Sequence, residues 1–389
     1  MQATDFKPIQ ANQRIVIIDI LRGWALLGVV LMNYQDFFFM GASQPKISSI
    51  SNILLWISSI VFAAKSWTLL SFLFGYGFAV LMKNTTDKGI HSTKFFARRM
   101  FWLFVLAIIN SAFFYGDILK DYAVLGLVLL LFNRCSAKTA FRLSVALLVI
   151  TPFVDAYVSS MGNGVYADPL LPYYPLYKSH SLLNTLWFGI VGTIHGEVLN
   201  LVYLVTVHLV MFCCFLLGLA AQKFDFFGNL RLNKKIVKRI FWISLAVVLS
   251  LYAFLFSTTG KQFNIFYNSV HLHFLVVLST MLFIASALCW FYLAGKLKTF
   301  FIAMQSIGKM TLTNYMVQNI LGLFLFSGFG LGFGLSNKLS LGYYYFFALL
   351  IYILQVHFSK WWLARYNYGP VEWLWRQLSY GKRLPIRRD

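Results

Sequence analysis

The sequence predicts an all-α fold, a polytopic membrane helix bundle of about ten transmembrane helices with both termini in the cytoplasm. Three observations predict it. Of the residues, 59% are hydrophobic, 19% aromatic and 12% charged, against roughly a quarter charged in soluble domains. Apolar runs long enough to cross about 30 Å of hydrocarbon recur along the chain with Lys or Arg near their ends. The basic residues are also unequally shared between the alternate ends of those runs. Lys46, Lys65, Lys120, Lys178, Lys261 and Lys338 fall on one side, Arg22 lies within a run, and all other Lys and Arg fall on the side of the N-terminus. The side rich in Lys and Arg is the cytoplasmic one. The net charge of +21 is therefore an orientation signal and a lure for anionic headgroups rather than a nucleic-acid footprint.

The runs are 15–34, 66–83, 95–115, 117–133, 138–158, 199–222, 236–257, 268–295, 310–330 and 341–363. They form one transmembrane domain, 1–363, with a first half 1–160, an outer loop 159–197 and a second half 198–363, followed by a basic interfacial tail, 364–389. The first run is too long for a signal peptide, contains Asp19 and Arg22, and acts as a signal anchor. It carries a polar stripe. Eleven steps of about 100° return Asn33 to within about 20° of Arg22, roughly 16 Å further along, with Asp19 and Asp36 to either side. Such a stripe is expected to line the bundle interior or a wet cavity. A pair that only fixes helix register would show the same two charges.

The Ser-rich stretch 47–64 reads as an interfacial or re-entrant outer helix. In the fourth run, Asp117, Lys120 and Asp121 are expected at an outer mouth, with Asp117 as a helix cap or an acid/base group. The Pro- and Tyr-rich loop 159–197 reads either as a lid over an outward-facing site or as interfacial anchoring. Thr311, Asn314 and Gln318 share one face of the ninth run, suited to substrate binding or to interhelical amide bonds. The run GFGLGFG, 328–334, is read as a helix end with close backbone packing. Pro370 opens a short interfacial helix whose tryptophans are expected at the headgroup boundary and whose bases face anionic lipid or hold the phosphates of a nucleotide-like donor.

Cys135, Cys213, Cys214 and Cys289 lie in or beside runs and indicate neither disulfides nor a thiolate metal site. His195-Gly196-Glu197 has the H-x-E spacing of zinc deaminases without the accompanying P-C-x-x-C. His271 and His273 fall on different helix faces with no carboxylate expected nearby, so no metal site is expected.

The blocks RIVIIDILRGWALLGVVLMN, SFLFGYGF, GDILKDYAVLG, GKMTLTNYMVQN and YGPVEWLWRQLSYGKRLPIR resemble the YeiB-like family of bacterial membrane proteins of unknown function (DUF418). The opening block is also similar to the first helix of the transmembrane acyltransferase superfamily. In one branch of that superfamily an Arg is followed eleven residues on by a His taken to act in acyl transfer. Arg22 matches the Arg, and Asn33 stands at the His position. The resemblance implies an acyltransferase passing an acyl group from a cytoplasmic acyl-CoA-type donor to an acceptor at the outer face, in the bacterial inner membrane. Arg22 would orient an anionic or carbonyl group, Asn33 would donate to an oxyanion, and Asp117, Asp36 or His195 would supply the base. Asp19, Lys65, Ser66, Asn314 and Gln318 complete the expected binding residues, with Lys65 acting as a base only where desolvation leaves it neutral. No covalently bound cofactor and no metal are expected. Expected partners are membrane lipids, a small-molecule substrate and, by analogy, a second copy of the chain. The competing readings are a transporter or flippase of a small or amphipathic metabolite, and a lipid-binding membrane protein without turnover.

Overall fold

A computed structural model describes residues 14–41, 48–87, 91–161, 169–257, 270–335 and 339–388. The stretch 162–168 of the expected lid and Lys7, Lys46, Lys88, Lys261 and Lys338 of the charge count lie outside them. Among the described residues the fold is all-helical, and eight helical stretches are long and apolar enough to cross a membrane. It is an all-α polytopic membrane bundle.

Helix α1, Val16–Gly41, has 26 residues and is about 39 Å long at 1.5 Å per residue. It runs through the centre of the bundle. Ile20, Leu21, Ala25, Leu26, Val30 and Tyr34 are fully buried, and the helices Lys65–Thr86, Lys298–Gly308, Thr311–Phe326 and Leu341–Leu363 pack along it. The expected interfacial segment is a separate 13-residue helix, α2 (Ser49–Val61), opened by Ser48, whose side chain accepts from the Ser51 amide. Ile50, Ile53, Trp56 and Ile57 on it are exposed. Helices α3 (Lys65–Thr86) and α4 (Ser92–Phe113) follow the predicted runs.

The fourth run is shorter than predicted. Helix α5, Leu119–Leu129, has 11 residues and closes with a single 3-10 turn, Leu130–Phe132. Helix α6, Ala137–Met161, is followed by the short α7, Tyr174–Lys178, and by α8, Leu182–Thr193. Between α8 and α9, His208–Lys223, the chain winds into two π-helical turns, Ile194–Val198 and Tyr203–Val207. Helices α10, Lys234–Phe256, and α11, His273–Leu293, pack as a pair. Helix α12, Lys298–Gly308, is an amphipathic element that the run assignment treats as a connection. Helices α13, Thr311–Phe326, and α14, Leu341–Leu363, complete the bundle, and α15, Pro370–Tyr380, closes the chain. Its ends follow helix chemistry: Pro370 sits at the first helical position and Gly381 takes φ +65 at the stop.

Backbone contact at two small residues sets the tightest crossing. A Cβ on Gly23 would collide with the Met304 carbonyl, and one on Gly308 with the Asp19 carbonyl. Helices α1 and α12 can therefore approach only because both positions lack a side chain. The GFGLGFG run packs closely as expected, since a side chain on Gly330 would strike the Phe324 carbonyl.

Candidate functional site

The Asp19–Arg22 pair is present. Arg22 Nη1 lies 3.2 Å from Asp19 Oδ1, with the Asp19 side chain 5% exposed and that of Arg22 33% exposed. The exposed part of Arg22 faces a cavity of about 400 Å³ bounded by α1, α3, α4, α5, α13 and α15. Arg14, Arg22, Arg99, Lys309 and Arg376 line it, against the acids Asp19 and Glu372. Its deeper wall is apolar or aromatic, with Leu26, Leu70, Leu73, Leu119, Tyr122 and Tyr315. The bases belong to the ends of α1, α4, α12 and α15 that lie on the N-terminal face, so the cavity has a cationic mouth and a greasy interior.

Neither acid neutralises the mouth freely. Glu372 Oε1 accepts from the backbone amides of Leu312 at 2.7 Å and Thr313 at 3.1 Å, and Oε2 accepts from the Thr313 hydroxyl. It thus caps the N-terminus of α13, where a carboxylate is favoured by the helix dipole. Burial raises its carboxyl above the ordinary range, with the Thr313 and Leu312 hydrogen bonds acting the other way. The Arg99 guanidinium lies over the Trp375 ring, its Cζ 3.7 Å from the centroid, while the Trp375 indole donates to the Arg99 carbonyl at 2.9 Å. Arg376 stacks on Tyr368 at 4.6 Å. Burial, and then the charge of Arg14, lowers the Arg376 guanidinium below its usual range. The C-terminal helix thereby turns Arg376 and Trp375 into the cavity wall. The cap at Glu372 ties the helix to α13 and so brings Trp375 and Arg376 to the cavity.

Asp117, just before α5, is fully buried. Its Oδ1 accepts from Asn110 Nδ2 at 2.8 Å. The Tyr315 hydroxyl, on a residue that lines the cavity, interacts with both Asp117 and Asn319. Asp117 Oδ2 and Asn319 Nδ2 nonetheless make no hydrogen bond of ordinary geometry. Asn33 Nδ2 donates to Asn319 Oδ1 at 2.8 Å. One polar string therefore runs from the cavity wall at Tyr315 to Asp117 on one side and, through Asn319, to Asn33 on the other.

The remaining predicted residues lie elsewhere. Asn33 is turned toward α13 and does not line the cavity, and half-buried Asp36 lies further along α1, also outside it. Asn314 donates to Ser359 at 3.0 Å and Gln318 to Gln355 at 2.7 Å, so this face of α13 bonds to α14. Lys65 donates to the Ser59 carbonyl, and Ser66 packs on Gly28 of α1 while donating to the Phe62 carbonyl. His195 is half-buried, 3.1 Å from the Tyr173 hydroxyl. The expectation of no carboxylate near His271 is also corrected: Asp155 Oδ2 is 3.1 Å from its Nδ1, because α6 and α11 pack together. Among the described residues no group of three His, Cys, Asp or Glu could hold a metal ion.

A second polar cluster joins Lys120 and Asp121, which the sequence brings together, to Glu197 and His208, which it does not. Lys120 pairs with Glu197 in a very short contact and with Asp121 Oδ2 at 3.3 Å, and donates to the Asp117 carbonyl at 2.7 Å. Asp121 also accepts from Tyr203 at 2.8 Å and faces His208 Nε2 at 3.1 Å. The other ring nitrogen of His208 meets the Leu204 carbonyl at 2.7 Å. Both ring nitrogens of His208 thus face acceptor oxygens. Glu197 and Tyr203 belong to the two π-helical turns, an irregularity frequent at functional sites. The H-x-E spacing had pointed at Glu197 and the fourth run at Lys120 and Asp121. His208 carried no sequence signal.

A polytopic helical membrane protein with a cationic-mouthed, apolar cavity is the class that fold and site define. Residues 221–382 match the family described as "Protein of unknown function (DUF418)". The chain is 27% identical to "Uncharacterized protein YxaH" of Bacillus subtilis (strain 168), with 99% of each chain covered. It is 25% identical to the "Uncharacterized 39.9 kDa protein in amylase 3'region" of Bacillus acidopullulyticus, with 97% of each covered. Over 78 residues, 20% of this chain and 19% of the relative, it is 38% identical to "Uncharacterized protein YeiB" of Escherichia coli (strain K12). The chain is thus similar to the DUF418 family over residues 221–382 and, along nearly its whole length, to two uncharacterised Bacillus proteins. No solved structure matches it significantly.

Proposed function

We propose that the cavity binds an amphipathic anion of the acyl-CoA type from the cytoplasmic side of the bacterial inner membrane, and that the protein is an acyltransferase using it as donor. The carrying observation is the combination of five basic side chains with a largely apolar wall in one cavity. Phosphates suit guanidinium groups, which offer several fixed donors. A fatty or short acyl chain suits the leucine and tyrosine wall.

In this reading Arg14, Arg99, Lys309 and Arg376 hold the phosphates and Arg22 orients the thioester carbonyl. An acceptor hydroxyl attacks the carbonyl carbon, the C–S bond breaks and the thiolate leaves. The hydroxyl proton passes through Tyr315 to Asp117 and returns from there to the thiolate. Asn33 acts through Asn319, which it orients, rather than as an oxyanion donor. The fully buried Asp117, with one oxygen lacking an ordinary partner, is the group best placed for the proton.

Thermal unfolding of the purified protein with acyl-CoA, free CoA and neutral sugars tests this. A ligand at 100 times its Kd that binds only the native state adds about 2.7 kcal/mol, so acyl-CoA is expected to raise the midpoint and sugars to leave it unchanged. No shift with any thioester at millimolar concentration overturns the reading.

The broken path from α8 to α9, with buried charges at two π-helical turns, favours a second reading, a transporter or flippase of the same amphipathic anion. It predicts ligand flux across proteoliposomes with no thiol released.

A further inference from the structure

A second cavity, about 630 Å³, opens on the N-terminal face and shares only Ile15 with the first. Helix α1 stands between them. Ile18, Asp19 and Arg22 look into one cavity, and Ile17 and Ile20 look into the other. The second lies between α1, the loop joining α9 to α10, and the turn joining α11 to α12. Its wall is apolar, including Ile20, Leu230 and Phe301, while its charged lining residues are Arg231, Lys296 and Lys298, with no carboxylate. Asp225 of the same loop is turned onto Asn229, 2.6 Å from its Nδ2.

Two features of the rim are otherwise unexplained. Leu297, between the two lysines, has φ +57 and is 56% exposed. A leucine in the left-handed region is strained, and a side chain this exposed gains little from packing to offset it. The bend does place both flanking lysines on one cavity. Leu232 and Ile302, which line the same cavity, are 82% and 56% exposed. Exposed apolar side chains beside a cluster of bases suit a ligand that brings both negative charge and hydrocarbon.

We propose that this cavity is a binding site for an anionic glycerophospholipid, its phosphate headgroup held by Arg231, Lys296 and Lys298 and its acyl chains lying against the exposed Leu232 and Ile302. The site is separate from the acyl-donor cavity and does not depend on that reading. A free phosphate offers the same charge but gains nothing from the apolar rim.

Native mass spectrometry of the delipidated full chain tests this with phosphatidylglycerol, phosphatidylcholine of the same chains, and inorganic phosphate. Phosphatidylglycerol is expected to be retained over phosphatidylcholine. Each base near a membrane surface contributes about a fivefold preference for anionic lipid, so Arg231→Ala/Lys296→Ala/Lys298→Ala is expected to lose about a hundredfold. Lys138→Ala/Arg142→Ala, two exposed bases at the same end of the bundle, is expected to bind like the parent. If the triple variant does not fold, Lys296→Ala and Lys298→Ala alone are each expected to lose about fivefold. Equal retention of the two lipids, unchanged binding by the variants, or displacement of lipid by an equal concentration of inorganic phosphate overturns the assignment. The midpoint shift with acyl-CoA is read on the same variants and is expected to stay as in the parent.

Discussion

The Glu372 carboxylate accepts the backbone amide of Leu312 at 2.7 Å, which fastens the C-terminal helix to the start of α13 and makes that helix a wall of the cavity. A segment whose sequence reads either as a lipid anchor or as a holder of donor phosphates thereby supplies Arg376, Trp375 and Tyr380 to the cavity wall.

Glu372→Ala leaves the first turn of α13 uncapped. Loss of a side-chain cap costs about 1 kcal/mol and up to about 2. The thermal midpoint is expected to fall, and any acyl-CoA shift to shrink as α15 loosens. Glu372→Gln, which keeps an acceptor, is expected to fall less in the same experiment.

Arg22→Ala removes the charge that faces the cavity and leaves Asp19 unpaired near its rim. The purified variant is expected to remain folded and monodisperse, though less stable with Asp19 unpaired, and to lose most of the acyl-CoA shift. Aggregation in mild detergent would instead make the pair a register device.

Tyr315→Phe keeps the ring in the wall and deletes the hydroxyl beside Asp117. Donor binding is expected to persist while thiol release during acyl transfer falls at least about a hundredfold, within the range for loss of a proton-transfer group. Asp117→Asn is expected to behave alike.

The Lys120–Glu197 pair is inside the bundle, with side chains only 8% and 6% exposed. Glu197→Ala strands the lysine and is expected to cost about 3–5 kcal/mol in denaturant unfolding. Lys120→Met/Glu197→Leu removes both charges and is expected to cost less than the single substitution. A double variant as damaged as the single one would mean the pair is not what the cluster depends on.

Much of this was legible because the signals were strong and local. Asp19 and Arg22 in a long apolar run force one helix face inward, so the pair was bound to meet protein or water. Pro370 and Gly381 bracket a helix by their own backbone limits. The eleven residues of α12 carry no such mark: too short for a membrane-spanning run, they read as a connection, and their role appears only when Gly308 meets Asp19. Asn33 was placed on the right stripe, but whether a stripe residue faces a void or a neighbouring amide depends on Asn319, far along the chain. His208 lies in an apolar run, and its meaning comes from Asp121, which α5 brings to it. The aromatic cradle of Arg99 and Arg376 likewise depends on contacts between distant helices.

The most direct measurement is the position of the acyl chain in the bound state. A photoactivatable acyl-CoA carrying its reactive group at the chain end is cross-linked to the purified protein and the labelled peptides are identified. Labelling on the deep wall, at Leu70, Leu73, Leu119 or Tyr122, that excess unlabelled acyl-CoA abolishes is the predicted result. Labelling confined to exposed side chains of α10 such as Trp242 and Leu249, or unaffected by competitor, would contradict it.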